Sequence, residues 1–143
     1  MKSSEIRQLE MHLHAAYCAK HSTIPPTYIP HPKRTDKTAN GLTQCIIDFI
    51  ELQGWQAERI AIMGRPGETP TGIKWSKSNM TKGTADISAT IKGMSVKIEV
   101  KIGADKQSAE QLRYQKQIES AGGKYFVARN FASFVEWFKT LEL

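Results

Sequence analysis

The chain has 143 residues, 40% of them hydrophobic and 24% charged, with a formal charge of +6 and a pI near 9.4. That length can bury a core without cross-links, and Cys18 and Cys45 alone make no disulfide framework, so the composition describes a soluble domain of a reducing compartment. No apolar run approaches the roughly 20 residues of a membrane span, and Arg7, Glu10 and His12 interrupt any signal-peptide core, so no spanning helix is expected and a cytoplasmic location is.

In chain order, Ile6, Leu9, Leu13, Ala16 and Tyr17 have helical spacing, so residues 4–20 predict a helix with Ser4 as its N-cap. Four prolines between Ile24 and Pro32 forbid a helix and read as a stiff tether. Residues 1–36 are therefore expected to form an N-terminal helical arm, and 37–143 the main domain. His14, Cys18 and His21 fall on one helical face, a spacing that a Zn²⁺ site could use. All of them lie in one short element, however, which favours an ordinary exposed or interface helix.

A second helix is expected from Lys37 to Gln53, with Leu42, Cys45, Ile46, Phe49 and Ile50 buried and Asn40, Gln44, Asp48 and Glu51 opposite; Gly54 ends it. Trp55 to Met63 reads as a strand. Gly64 to Lys82, rich in glycine and proline, reads as a long loop. It carries Arg65, Lys74, Lys77 and Lys82 around Trp75, a set that can contact phosphates and stack on an unpaired base, and the basic excess of the whole chain favours such a polyanionic partner. Lys33, Arg34 and Lys37 offer weaker contacts of the same kind.

Asp86–Ile91 and Met94–Lys101 predict two strands turning at Lys92-Gly93. Ser108 to Ala121 predicts a helix, Lys124 to Ala128 a strand, and Phe131, Phe134, Val135, Phe138 and Leu141 a last amphipathic helix. The expected fold is α/β: an arm, then α-β-β-β-α-β-α, a mixed sheet flanked by helices.

Alternation along the second of the two paired strands sends Val96, Ile98 and Val100 to the core and places Lys97, Glu99 and Lys101 on the other face. Alone, Glu99 and Lys101 are the pattern of a solvated ion pair. Asp86 opens the neighbouring strand, and pairing can bring it to Glu99. Two close carboxylates repel unless a cation neutralises them. Oxygen ligation with retained water suits Mg²⁺ or Mn²⁺, with the Val100 carbonyl as a further ligand. Such an ion polarises a phosphoryl group and lowers the pKa of a bound water, while Lys101 can orient that water or stabilise the transition state. Gln111 falls on the inner stripe of its helix, where it can bond to backbone or support Lys101 or the water.

Gly83-Thr84-Ala85-Asp86, Glu99-Val100-Lys101, Ser108-Ala109-Glu110-Gln111 and Ala121-Gly122-Gly123, in this order and between these elements, resemble the virus-type replication-repair nuclease (VRR-Nuc) family of the PD-(D/E)xK superfamily. The resemblance runs from about Thr38 to Phe138. It implies a restriction-endonuclease-like core, Asp86 and Glu99 as metal ligands, Lys101 as catalytic lysine and Gln111 as its neighbour. Ala85 stands where the family usually has proline. In the first core helix Gln44 fits the family's glutamine as first-helix support, and Asn40 stands where an acid is common, with Asp48 or Glu51 weak substitutes. The resemblance further implies a homodimeric, Mg²⁺- or Mn²⁺-dependent endonuclease of branched DNA, a four-way (Holliday) junction resolvase of a bacterial or phage-infected cell, serving DNA repair. A C2 dimer would supply two symmetric cuts. The competing expectations are a general duplex or flap nuclease, a non-catalytic nucleic-acid-binding module on the same fold, and an assembly protein.

Overall fold

The computed structural model describes residues 1–61, 65–76 and 81–143, with backbone alone for 65–68 and 74–76. Helix α1 spans Ser4–Lys20, and its N-cap is Ser3, one residue before the expected position, whose hydroxyl accepts from the Ile6 N–H at 3.3 Å. Ile6, Leu9 and Leu13 are buried, whereas Ala16 and Tyr17 are exposed because the last turns run past the surface that α1 packs on.

The proline segment makes one 3₁₀ turn, Pro26–Tyr28, and then returns along α1. Ile29 is buried, its carbonyl lies 3.1 Å from His14 Nε2, and the His31 ring stacks on His14 at 3.6 Å between centroids. Cys18 Sγ lies 3.7 Å from the same imidazole. Among the described residues no cluster of three or more His, Cys, Asp or Glu could hold a metal ion, so His14, Cys18 and His21 do not form the Zn²⁺ site that their spacing allowed. The Arg34 N–H donates to the Glu10 carboxylate at 2.7 Å, and the Asp36 carboxylate accepts from the Phe131 N–H at 2.9 Å. The segment expected as an arm is thus docked, with Ile6, Leu9 and Leu13 inside the same core as the rest of the chain. Packing does not break at residue 36.

Helix α2, Ala39–Leu52, is capped by Thr38, whose hydroxyl accepts from the Gly41 N–H at 3.0 Å. Leu42, Cys45, Ile46 and Ile50 are fully enclosed. Asp48, expected on the outer face, is buried too, because Arg34 from the returning tether covers it. Strand β1 is Gln56–Arg59, shorter than the expected Trp55–Met63, whose last two residues lie outside the described ones.

The region expected as a loop contains a hairpin. Strands β2 (Arg65–Thr69) and β3 (Gly72–Ser76) pair antiparallel across a two-residue turn, with Thr69 opposite Gly72. Pro66, Gly67 and Gly72 obscured it, and among the described residues this two-stranded ribbon pairs only with itself, outside the sheet whose buried face imposes alternation on its strands.

Strands β4 (Ile87–Ile91) and β5 (Met94–Val100) form the expected hairpin. Its turn residues Lys92 and Gly93 have φ of 48° and 79°, the left-handed pair that matches strand twist. Helix α3 is Ala109–Ser120, β6 is Lys124–Ala128 and α4 is Phe131–Lys139. The sheet runs β1-β4-β5-β6, with β6 parallel to β5 and the other pairs antiparallel. The fold is α/β, a mixed four-stranded sheet with helices packed against it.

One face of that sheet, built by Ile87, Ala89, Ile91, Val96 and Ile98, meets α2 and α4. Phe49 lies edge-on to Phe131, Phe134 and Phe138 with ring centroids 5.0–5.8 Å apart. The other face carries Ser88, Lys97 and Glu99, and α3, which has no buried residue, covers it only in part.

Candidate active site

Antiparallel pairing sets Ile87 against Ile98, and continuing that register by one residue places Asp86 opposite Glu99. Asp86 is anchored at both ends. Its carbonyl accepts from the Ile60 N–H at 2.8 Å, and its carboxylate accepts from the Val100 N–H at 2.8 Å. Gly83 makes this approach possible. Its φ is +79°, and a Cβ there would lie 2.4 Å from the backbone of Glu110 and 2.7 Å from the Gln111 nitrogen. The chain entering β4 therefore lies directly on the N-terminal turn of α3. Ala85, where the resembled family has proline, is buried at 1% exposure, and Thr84 beside it donates to the Thr81 carbonyl.

Glu99 and Lys101 are not a solvated ion pair, since they are 3% and 8% exposed. Alternation holds for Val96, Ile98 and Val100, but at Glu99 and Lys101 the opposite face is covered as well. Lys101 Nζ lies 3.6 Å from Glu99 Oε1 and 3.7 Å from Asp105 Oδ2. Gln111 Nε2 donates to Glu99 Oε1 at 2.8 Å. The backbone partner expected for this glutamine is present, since its Oε1 accepts from the Ser108 N–H at 2.9 Å and closes the capping box of α3, while its amide nitrogen meets Glu99 rather than Lys101.

Glu99 Oε2 is buried without a hydrogen-bond partner among the described residues. Burial, followed by the negative charge of Asp86, pushes the Glu99 carboxyl up to about 8, against the weaker opposing pull of Lys101. Burial and then the Glu99 charge also raise the Tyr125 phenol, whose oxygen lies 3.4 Å from Gln107 Nε2.

Two facing carboxylates, one with a spare buried oxygen, fit a hard divalent cation that takes few protein ligands and keeps its waters. Asp86 and Glu99 would hold it, with a Val100 backbone contribution, as Val100 lines the cleft with Asp86. That cleft, about 250 Å³, is closed on its far side by Ala39, Asn40 and Thr43 from the first turns of α2.

Gln44 is not brought there. Its amide donates to Asp48 Oδ1 at 2.8 Å, and Asp48 accepts from Arg34 Nε at 2.6 Å, so Gln44 and Asp48 clamp the N-terminal segment to α2. Glu51 is exposed. Asn40 does face the cleft, its Oδ1 accepting from Arg59 Nη1 at 2.9 Å. Lys82 is exposed, one residue before Gly83. Arg65, Lys74 and Trp75 have their backbones in the β2–β3 hairpin, their side chains outside the described set, and Lys77 lies outside the described residues. Arg59, and Lys97, which shares the Glu99 face of β5 but was given no role there, line a groove beside the cleft. The signal for Lys97 was its place two residues before Glu99, on the same face of β5. Neither a protein-family model nor a curated protein matches this chain.

Proposed function

We propose that this chain is a metal-dependent DNA endonuclease of PD-(D/E)xK type, of the VRR-Nuc kind, hydrolysing phosphodiesters in branched DNA such as four-way junctions. The observation that carries the proposal is Glu99: a buried carboxylate with one oxygen unpartnered among the described residues, facing Asp86 and contacted by Lys101 and Gln111. A carboxylate so placed is costly unless something compensates it. Stability alone gives no reason to set Asp86 beside it.

Bound Mg²⁺ or Mn²⁺ would supply Lewis acidity at the scissile phosphate and a nucleophilic water at neutral pH. The chain's own residues do the rest. The Val100 N–H fixes the Asp86 carboxylate, and Gln111 fixes that of Glu99. Lys101, held between Glu99 and Asp105, presents a buried ammonium where negative charge develops on the phosphorus oxygens. Water oxygen forms the new P–O bond, and the opposite P–O bond breaks in line. The basic charge of the chain favours the polyanionic substrate. The junction and a C2 homodimer rest on the family resemblance and on the symmetry of two paired cuts.

A second reading, a DNA-binding module without turnover, is favoured by one observation. The first turn of α2 offers the cleft Asn40, engaged by Arg59, where a third acid would help to hold metal. One experiment separates them: labelled four-way junction, flap and linear duplex are incubated with the protein in Mg²⁺ and in EDTA. Paired symmetric nicks in the junction alone, lost in EDTA, support a resolvase. Cutting of all three substrates makes it a general nuclease, and binding without cutting in Mg²⁺ and Mn²⁺ leaves the module.

A further inference from the structure

We propose that the groove beside the candidate active site is the track for the DNA strand flanking the cut, with Lys97 and Arg59 as ligands of the phosphates next to the scissile one. The inference rests on the nuclease reading above and adds to it a direction for the strand.

Three observations place this subsite. First, register across the sheet sets Glu58 against Ser88 and Ser88 against Lys97, forming a row one pleat away from Asp86 and Glu99. Two residues along a strand advance about 6.6–6.8 Å, close to the separation of neighbouring phosphates along a nucleic-acid strand. A phosphate at Asp86 and Glu99 therefore sets its neighbour at Lys97.

Second, the groove and the cleft adjoin at Arg59 and Ile60. The groove, about 470 Å³, and the Asp86 cleft share Arg59 and Ile60 as walls, and Thr84 and Tyr114 complete the groove's sides. Third, its cations are held in place by neutral groups. Lys97 Nζ donates to Ser88 Oγ in the groove at 2.8 Å, while Arg59, which borders both spaces, donates from Nη1 to Asn40 Oδ1 on the cleft side at 2.9 Å; among the described residues, neither is paired with a carboxylate. Fixed cations with spare donors suit phosphate oxygens. Glu58 is the one carboxylate among the lining residues. It sits at the edge strand, two strands away from Lys97, and so repels phosphate from the outer rim rather than from the floor.

The test measures binding of labelled four-way junction DNA across a salt series in EDTA, with cutting of the same DNA in Mg²⁺ assayed separately. The proteins are wild type, Lys97→Gln, Lys97→Arg, Arg59→Ala and the control Lys139→Ala on α4. Each lost phosphate contact lowers the slope of log K against log salt by about 0.9. The expected result is that drop for Lys97→Gln and for Arg59→Ala, with the slope kept by Lys97→Arg and by Lys139→Ala. Wild-type slopes in both groove variants overturn the subsite, and the Mg²⁺ assay then tells whether the nuclease reading survives. The expected drops without any cutting by wild type keep the subsite and reject the nuclease. Wild type that neither binds nor cuts rejects both.

Discussion

The Gln111 amide joins two structures at once: its oxygen accepts from the Ser108 N–H at 2.9 Å, and its nitrogen donates to Glu99 at 2.8 Å. The cap fixes which end of the amide faces the carboxylate, so the N-terminal turn of α3 orients Glu99. Gln111→Glu keeps the capping box, because glutamate serves equally at that position, but it places a third carboxylate against Glu99. The expected outcome is a folded protein with helix content unchanged by circular dichroism and no cutting. Gln111→Ala removes both bonds and is expected to lower stability by about 1–3 kcal/mol in urea unfolding.

Glu99→Gln is expected to abolish cutting and at the same time stabilise the metal-free protein, by on the order of 1–2 kcal/mol, since it removes a buried charge held beside Asp86. A melting experiment in EDTA near pH 8, run beside the junction assay, checks both halves. Lys101→Ala is expected to abolish cutting as well, and to destabilise, because it leaves Glu99 without its nearest cation.

The pH dependence follows from the same carboxyl, which titrates at about 8 in the folded protein against an ordinary 4.5. The folded state holds this proton more tightly than the unfolded chain. Its contribution to stability is therefore complete below about pH 4.5 and is lost as pH rises to about 8. Denaturant unfolding in EDTA across that window is expected to show wild type losing stability relative to Glu99→Gln. Mg²⁺ should raise the melting temperature more at pH 8 than at pH 5.5, because the cation competes with the proton. Parallel curves for wild type and variant would reject the assignment.

Gly83→Ala tests how Asp86 is held. The new Cβ meets the Glu110 backbone at 2.4 Å in a left-handed conformation, whereas Gly93, with φ +79°, has nothing within 4 Å. Gly93→Ala is expected to cost only the backbone strain, about 1 kcal/mol. Gly83→Ala is expected to cost more than about 2 kcal/mol and to reduce cutting at temperatures where the protein remains folded. Equal effects at the two glycines would mean that the contact of the β4 entry with α3 is unimportant.

Leu9→Ala asks whether residues 1–36 belong to the core. Leu9 is 2% exposed, so truncation is expected to cost about 2–5 kcal/mol in a single cooperative transition. A separate early transition for α1 would make it an independent arm.

Much of this was legible in the sequence. The order of the helices and of the four main-sheet strands, the Lys92-Gly93 turn, the inward set Val96, Ile98 and Val100, and the Asp86, Glu99 and Gln111 spacing follow from local rules, because periodicities of 3.6 and 2 are properties of the backbone itself. The hairpin at Arg65–Ser76 was not legible, since among the described residues β2 and β3 pair only with each other, and glycine and proline interrupt any alternation. Gln44 fitted a family pattern in spacing, but spacing does not say which neighbour a side chain will meet. It meets Asp48, because Arg34 returns over α2.

By itself, then, the sequence determined which residues could share a strand face or a helix stripe. Tertiary structure alone decided that Glu99 and Lys101 are buried rather than solvated, that α1 joins the core, and that Gln111 reaches Glu99. The reason is physical: alternation fixes where a side chain points, but its burial, its partner and its charge state depend on elements distant in the chain that pack over it.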